Sequence, residues 1–567
     1  MSINRLNHRK RNVAALVATV LISTSITAQA DEREDLEKLR ATVLGLLDTL
    51  VQNHILPKDK VDAMMREAES RANTRLAQTP PPEVSADGKK IVRVPYVPEA
   101  VKIQMHDQIK AEVLAETRNE RAGGGGADSW LNRIQIEGDL RLRAENTRLD
   151  TGNTSTAVAY SDMSNSYLTR FPDIFSTTGN GINNYNTQNS TSRTRLRARL
   201  GINANISDTV SAGIALATGS SSNVNNTTIP SAPTSTNQTM GQNFNKEGVY
   251  VDRAFIKYTP ASWLSVSGGR IRNPYFSTDL VWADDLNFEG FALALTPRLD
   301  PLPNVFFTAG WFPLAFGVPN QSVDRSLVAL QGGLDMQIGQ KENRVKLGVA
   351  LYDYHGVEGV AQTTQTFKTS STYLSSEYGS SYRQRGNTLF RINAPNSGTN
   401  PDTATNWGLA SSFRELNLTG KVDIAQLDPL HVVLTADYVR NLGFNRNDMR
   451  SRTGAAISDG QGFGYMGKIQ VGAPTTLQRG DWNVSLAFRY LGSDAVLDAF
   501  TNSDFGLGGT NSKGTILGMN YGVQKNTWVT ARWMSSNLID SLVPAATTTY
   551  PTKFSVDLLQ LDLNTKF

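Results

Sequence analysis

Residues Arg133 to Glu145 read RIQIEGDLRLRAE. Every odd position is charged or an amide (Arg133, Gln135, Glu137, Asp139, Arg141, Arg143, Glu145), and every even one is apolar or small (Ile134, Ile136, Gly138, Leu140, Leu142, Ala144). Successive side chains leave a strand on opposite sides, so this period of two specifies a β-strand with one greasy and one ionic face. A solvated face of a soluble sandwich can carry such a row. A membrane barrel does so routinely, because one face meets lipid and the other a water-filled lumen.

The pattern recurs to the last residue. Thr194, Leu196, Ala198, Leu200, Ile202, Ala204 and Ile206 alternate with Arg193, Arg195, Arg197 and Arg199. Similar runs surround Leu330, Leu418 and Leu486, and about sixteen such segments lie between Trp130 and Phe567. Their connections alternate in length. Short ones such as Ser207-Asp208, Pro260-Ala261 and Lys525-Asn526 separate long ones near 146–192, 219–247, 272–285, 313–327, 355–412, 441–462, 492–512 and 535–553. The long ones are rich in Asn, Ser, Thr and Gly, as solvated loops are. Tight turns on one rim and long loops on the other are what a membrane-spanning barrel produces. The predicted fold is therefore a closed antiparallel β-barrel over residues 130–567. In its final segment Leu559, Leu561 and Leu563 share a face with Phe567. This resembles the assembly signal of bacterial outer-membrane proteins, with Thr565 where a second aromatic often stands, and it implies the outer-membrane assembly machinery as a partner. Pairing this segment with 133–145 would remove both sheet edges.

Upstream the period changes. Arg5, Arg9, Lys10 and Arg11 precede an apolar run from Val13 to Ile22, and Ala28-Gln29-Ala30 follows it, the layout of a signal peptide (1–30) cut before Asp31. That peptide carries four of the 56 basic residues and none of the 52 acids, so the remainder is balanced and the pI near 9.0 reflects the leader. Nothing in the charge points to nucleic acid. No apolar run reaches the roughly 18 residues of a membrane-spanning helix. Cysteine is absent, which excludes a disulfide framework. Leu36, Leu39, Val43, Leu46 and Leu50 form one helical stripe, and Val61, Met64, Ala68 and Ala72 a second, predicting a helical hairpin or a brief coiled coil over 31–78. Stripes this short need partners, so association into a homo-oligomer through this leader is expected. A Pro-rich linker (79–100), a helix (101–121) and a Gly-rich hinge (122–129) complete the segment, with His54 and His106 read as solvated.

The leader LRATVLGLLDTLVQNHILPKDKVDAMMREAE, the linker VRVPYVPEAVK, the strand RIQIEGDLRLRAEN and the segment SGGRIRNPYFSTDLVWADD are together similar to the bacterial outer-membrane family known as "putative porins". The resemblance implies a sixteen-stranded barrel in the cell outer membrane behind a helical periplasmic leader. It leaves the solute undefined.

Chemistry in the barrel region argues against catalysis. Its two histidines, His355 and His431, fall in a long loop and at a short turn, on opposite rims, and no phosphate-cradling glycine motif joins a strand to a helix. No cofactor or metal is implied. An energy-coupled transporter would need about 22 strands and a globular plug. The expectation is passive diffusion of small hydrophilic solutes or ions through a lipid-embedded barrel. The alternative is a binding or tethering protein that links the barrel to the cell wall or a surface ligand. For the pore, the basic ladder Arg193, Arg195, Arg197 and Arg199 should face the lumen beside Arg141 and Arg143, interleaved with Glu137, Asp139 and Glu145. The apolar connection 272–285 carries Asp279, Asp284 and Asp285; folded inward, it would set these carboxylates against the basic wall and give an anion-leaning constriction.

Overall fold

Alternation of the kind seen in 133–145 produces sixteen long strands: β1 (Ile134–Leu149), β2 (Thr191–Asn205), β3 (Val210–Gly219), β4 (Gly248–Ala261), β5 (Leu264–Arg272), β6 (Asn287–Leu295), β7 (Asn304–Ala315), β8 (Arg325–Ile338), β9 (Asn343–His355), β10 (Arg414–Leu427), β11 (Leu430–Asn441), β12 (Phe463–Gly472), β13 (Trp482–Leu491), β14 (Ser512–Gln524), β15 (Thr527–Leu538) and β16 (Ser555–Lys566). The computed structural model describes residues 133–154, 174–177, 183–219, 235–241, 243–244, 246–297, 304–317, 323–339, 343–361, 376–379, 383–392, 407–541 and 553–567. The chain divides into units Met1–Asn119 and Glu120–Phe567, and every described residue lies in the second. The expected signal peptide, helices, linker and hinge of 1–129 lie outside the described residues.

Each strand pairs antiparallel with the next, and β16 pairs with β1 in a register running from Asp139↔Lys566 to Leu149↔Val556. The sheet therefore closes on itself and leaves no strand as an unpaired edge, which a sheet in hydrocarbon requires. Phe567 completes the seam: its N–H donates to Gly138 O at 3.0 Å, and Gly138 N–H donates to Phe567 O at 2.9 Å. Gly138 has to be glycine here, because a Cβ would lie 2.4 Å from the Phe567 ring and 2.9 Å from Arg199 O.

The two faces segregate as the pattern requires. Ile136, Leu140, Leu142, Leu559, Leu561 and Leu563 are exposed on the outside, while Arg143, Glu145, Gln560 and Asp562 are buried on the inside. Exposed Trp263, Trp482 and Tyr521 stand near the short-turn rim and Trp311 and Tyr465 nearer the long-loop rim, the aromatic girdles that mark the two interfaces of a bilayer. Short turns and long loops alternate around the barrel. Several long loops fold into its mouth: a short helix, α1 (Arg446–Thr453), is capped by the Asn445 side chain, and Leu389–Arg391 pairs with Trp407–Leu409. The main hydrophobic cluster consequently lies inside the barrel, where Tyr275, Leu280, Val281 and Trp282 pack on Phe288, Phe312 and Tyr352.

Candidate functional site

The segment between β5 and β6 turns inward. Asn273 starts it, its Oδ1 accepting from Tyr275 N–H at 2.9 Å in an Asx turn. Tyr275 then enters an aromatic nest, its ring centroid 5.9 Å from Phe288, 6.3 Å from Phe312 and 5.4 Å from Tyr352, all edge-on. Phe276 is clamped through its backbone by Gln331, which accepts from its N–H and donates to its C=O, both at 2.7 Å. The Thr278 hydroxyl donates to Asp437 Oδ2 at 2.5 Å. Trp282 lies edge-on to Phe288 at 4.8 Å and Tyr352 at 5.1 Å, and Ala283 N–H donates to Phe500 O at 2.9 Å. Gln331, Tyr352 and Asp437 are inward-facing wall residues, so 273–286 lies inside the lumen, anchored over β6 to β9 and reaching to β11.

Its carboxylates face charges from two sides. Enclosure in the barrel, and then the Asp504 carboxylate, raise the Asp285 carboxyl above the usual range against the opposing pull of Arg197 and Arg141. Asp284 is in contact with lumen water, yet enclosure by the barrel and then the Asp279 carboxylate push it up to about 6. Arg532 on β15, the neighbouring Asp285 and Lys468 on β12 also act on it, the two cations pulling its carboxyl down.

The arginine ladder stands at one height with its β1 partners: Arg193 opposite Glu145, Arg195 opposite Arg143, Arg197 opposite Arg141 and Arg199 opposite Asp139. Like charges so placed repel, and interleaved acids relieve them. Asp139 accepts from Arg197 at 2.8 Å and Arg199 at 2.7 Å. Arg193 pairs with Glu145. Glu137 joins Arg253 at 2.8 Å and Arg272 at 2.7 Å. Arg143 makes a two-pronged bond to Asp562, at 2.7 and 2.8 Å, and reaches Asp504 at 3.1 Å. Burial would raise the Asp504 carboxyl, but Arg143, Arg532 and Arg195 outweigh it and hold it at about 2. Arg141 and Arg195 are less completely satisfied: Arg141 bonds Asn237 and stands 4.0 Å from Asp562, Arg195 stands 3.7 Å from Glu145, and in both the buried Nε has no acceptor among the described residues.

Three functional candidates escaped sequence reading. Lys468, Arg489 and Arg532 are single cations in otherwise uncharged strand faces, without the run that made the ladder visible. Arg489 is fully buried, its guanidinium 5.2 Å above the Phe505 ring and within electrostatic reach of Asp279 and Asp437. The packing of 376–379, 383–392 and 492–511 in the mouth was equally hidden, because their composition is that of solvated loops. Thr388 donates to Asp494 from N–H and hydroxyl at 2.8 and 2.7 Å, and Asn387 donates to Ser493 O and Val496 O at 2.7 and 2.8 Å. Burial first, opposed by these bonds, leaves the Asp494 carboxyl raised to about 6.

A family described as "Putative porin" matches residues 40–567. The chain belongs to that family. It is thus an outer-membrane β-barrel porin, a channel protein, and the sixteen-stranded architecture agrees. Solved structures similar to the porin include the outer membrane channel DcaP of Acinetobacter baumannii (13% identity, 76% of this chain and 97% of that chain, TM-score 0.34). OprB of Pseudomonas putida is another (10% identity, 77% and 95%, TM-score 0.39), as is an anion-selective porin from Comamonas acidovorans (9% identity, 76% and 99%, TM-score 0.37). Identity and superposition this low leave the porin's architecture to rest on its own strand pairing. A search of the curated proteins finds no match.

Proposed function

We propose that the porin is a passive diffusion channel for small hydrophilic solutes and that it leans towards anions. One observation carries the reading: the inward segment 273–286 narrows the lumen and sets Asp285 within reach of Arg141 and Arg197. Opposed charge across a narrow, water-poor section sets up a strong local field, and solutes cross it along the side of opposite sign. Arg141 and Arg195, each with unspent donor capacity, supply the anion track, while Arg193, Arg197 and Arg199 are held by Glu145 and Asp139. No step in this passage requires turnover or a cofactor. The long loops would lie at the cell exterior and the short turns in the periplasm, the side from which the leader enters β1.

Purified protein in a planar bilayer should give stepwise, ohmic conductance. In a salt gradient the reversal potential should favour chloride, and raising the salt should weaken that preference by screening. Replacing Arg195, Arg197 and Arg199 with Ser should move the reversal potential towards cations. A protein that gives no conductance, but instead binds peptidoglycan or a surface ligand, would overturn the channel reading in favour of a tether.

A further inference from the structure

The inward segment leaves one stretch of lumen wall uncovered. Its aromatic anchors occupy β6 to β9, whereas on β12 to β15 a group of inward positions remains in contact with water: Lys468, Ser485, Gly518, Asn520, Thr530 and Arg532 are all half-buried. The strand registers order them. Arg532 stands opposite Gly518 and Gly518 opposite Ser485, while Lys468 stands one inward position away, opposite Ala487. Between the two cations the wall is lined by Ser485, Ala487 and Gly518, with Ile516 beside them, and a Cβ on Gly518 would lie 2.9 Å from Ser485 Oγ. Towards the short-turn rim the surface continues as uncharged hydrogen-bonding groups, with Thr530 donating to Asn520 Oδ1 at 2.6 Å and Asn520 to Asn483 Oδ1 at 2.8 Å. Unlike the ladder arginines, Lys468 and Arg532 form no ion pair within 4.0 Å among the described residues. Asp284 lies within electrostatic reach of both, and Asp504 within reach of Arg532.

We propose that Lys468 and Arg532, with the recess at Ser485 and Gly518 between them, form a binding step for small oxyanions, solutes carrying a carboxylate or phosphate group. The proposal rests on the channel reading and deepens it by naming the site and the solute chemistry. Arg532 supplies paired N–H donors that match two oxygens of one oxyanion, and Lys468 adds a mobile point charge. Ser485 contributes a hydroxyl donor, and with no side chain at Gly518 that hydroxyl is left uncovered. Water contact keeps the site weak, so that a solute can leave as readily as it enters, which conduction requires. Arg193, Arg197 and Arg199, paired with Glu145 and Asp139, then serve chiefly to tie β2 to β1.

The test is block of chloride current by inorganic phosphate in planar bilayers. With the wild-type protein, phosphate should lower the conductance saturably. In K468Q/R532Q the half-blocking concentration should rise roughly tenfold, the loss expected for two water-exposed charge contacts. R532K, which keeps the charge but not the paired donors, should fall between the two, and the single variants K468Q and R532Q serve if the double one does not fold. The Arg195→Ser channel should shift its reversal potential but keep the wild-type phosphate block. Equal block in wild type and K468Q/R532Q, or a conducting wild-type channel that phosphate does not block, would overturn the proposal and leave the channel reading intact. Absence of any wild-type conductance would overturn both.

Discussion

Trp282 tests whether the inward segment defines the conducting path. Its indole is almost fully buried and makes edge contacts with Phe288 and Tyr352 and a tilted one with Phe500, at centroid separations of 4.8, 5.1 and 6.0 Å. Truncating a buried tryptophan to alanine costs about 3–5 kcal/mol. None of this loss falls on the barrel ladder, since Trp282 belongs to no strand. It falls on the balance between the folded-in segment and states in which it leaves the wall. A loss of about 4 kcal/mol shifts that balance by a factor of about a thousand. Tyr275, the Gln331 clamp and the Thr278–Asp437 bond remain, so Trp282→Ala should populate a loosened segment, and Trp282→Ala with Tyr275→Ala should release it. In single-channel recordings the first variant should show a noisier, larger conductance, and the second a steadily larger one with weaker charge discrimination. Heat-modifiable gel mobility should stay as in the wild type, reporting an intact barrel. If both variants are heat-modifiable yet conduct with unchanged amplitude and reversal potential, the segment does not form the constriction.

Other outcomes follow from single contacts. Gly138→Val should sharply reduce the yield of heat-modifiable barrel, because the new side chain occupies the place of the Phe567 ring; normal assembly would show that the seam tolerates displacement of that residue. Acidification from about pH 7.5 to about pH 5 should increase anion preference, since a carboxyl raised to about 6 is charged at the first pH and neutral at the second, while Lys468 and Arg532 stay charged. Asp285 shares the segment and Asp494 in the mouth is raised to a similar value as Asp284, so Asp284→Asn should remove part of that dependence; an unaltered pH profile would assign it elsewhere. Asp139→Asn should release Arg197 and Arg199 together and move the reversal potential towards anions, in the direction opposite to the triple Arg→Ser change. Cross-linking with and without residues 31–121 should show that oligomers depend on the leader, and monomers in both cases would remove that expectation.

What could be read in the sequence was whatever obeys a local period. The even and odd faces of 133–145 and the ladder of 193–199 are set by backbone geometry alone, so composition at alternate positions reports them directly. The rims were legible for a related reason: loop length needs no knowledge of partners. The inward course of 273–286 left only a hint, in Tyr275, Phe276, Val281 and Trp282, side chains poorly suited to solvent. The pairing of Arg143 with Asp562 and Asp504 left none, because those acids lie on a strand and a loop hundreds of residues away. Thr388 and Asp494 look like any polar loop residues until folding brings them together. Isolated cations such as Lys468 and Arg532 acquire meaning only once neighbouring strands prove to carry Ser485 and Gly518.

The seam between β1 and β16 also has a consequence in time. Arg143 and Asp562, bonded across it, are 419 residues apart. Contacts so distant in sequence form late, because most of the chain must already be in place before the two strands can meet. Until then both strands present unpaired backbone and a greasy outer face, the combination most prone to stray association with another chain. Gly138 and Phe567 therefore act as a latch on the whole process, since the molecule is protected from its neighbours only when its earliest strand has received its latest one.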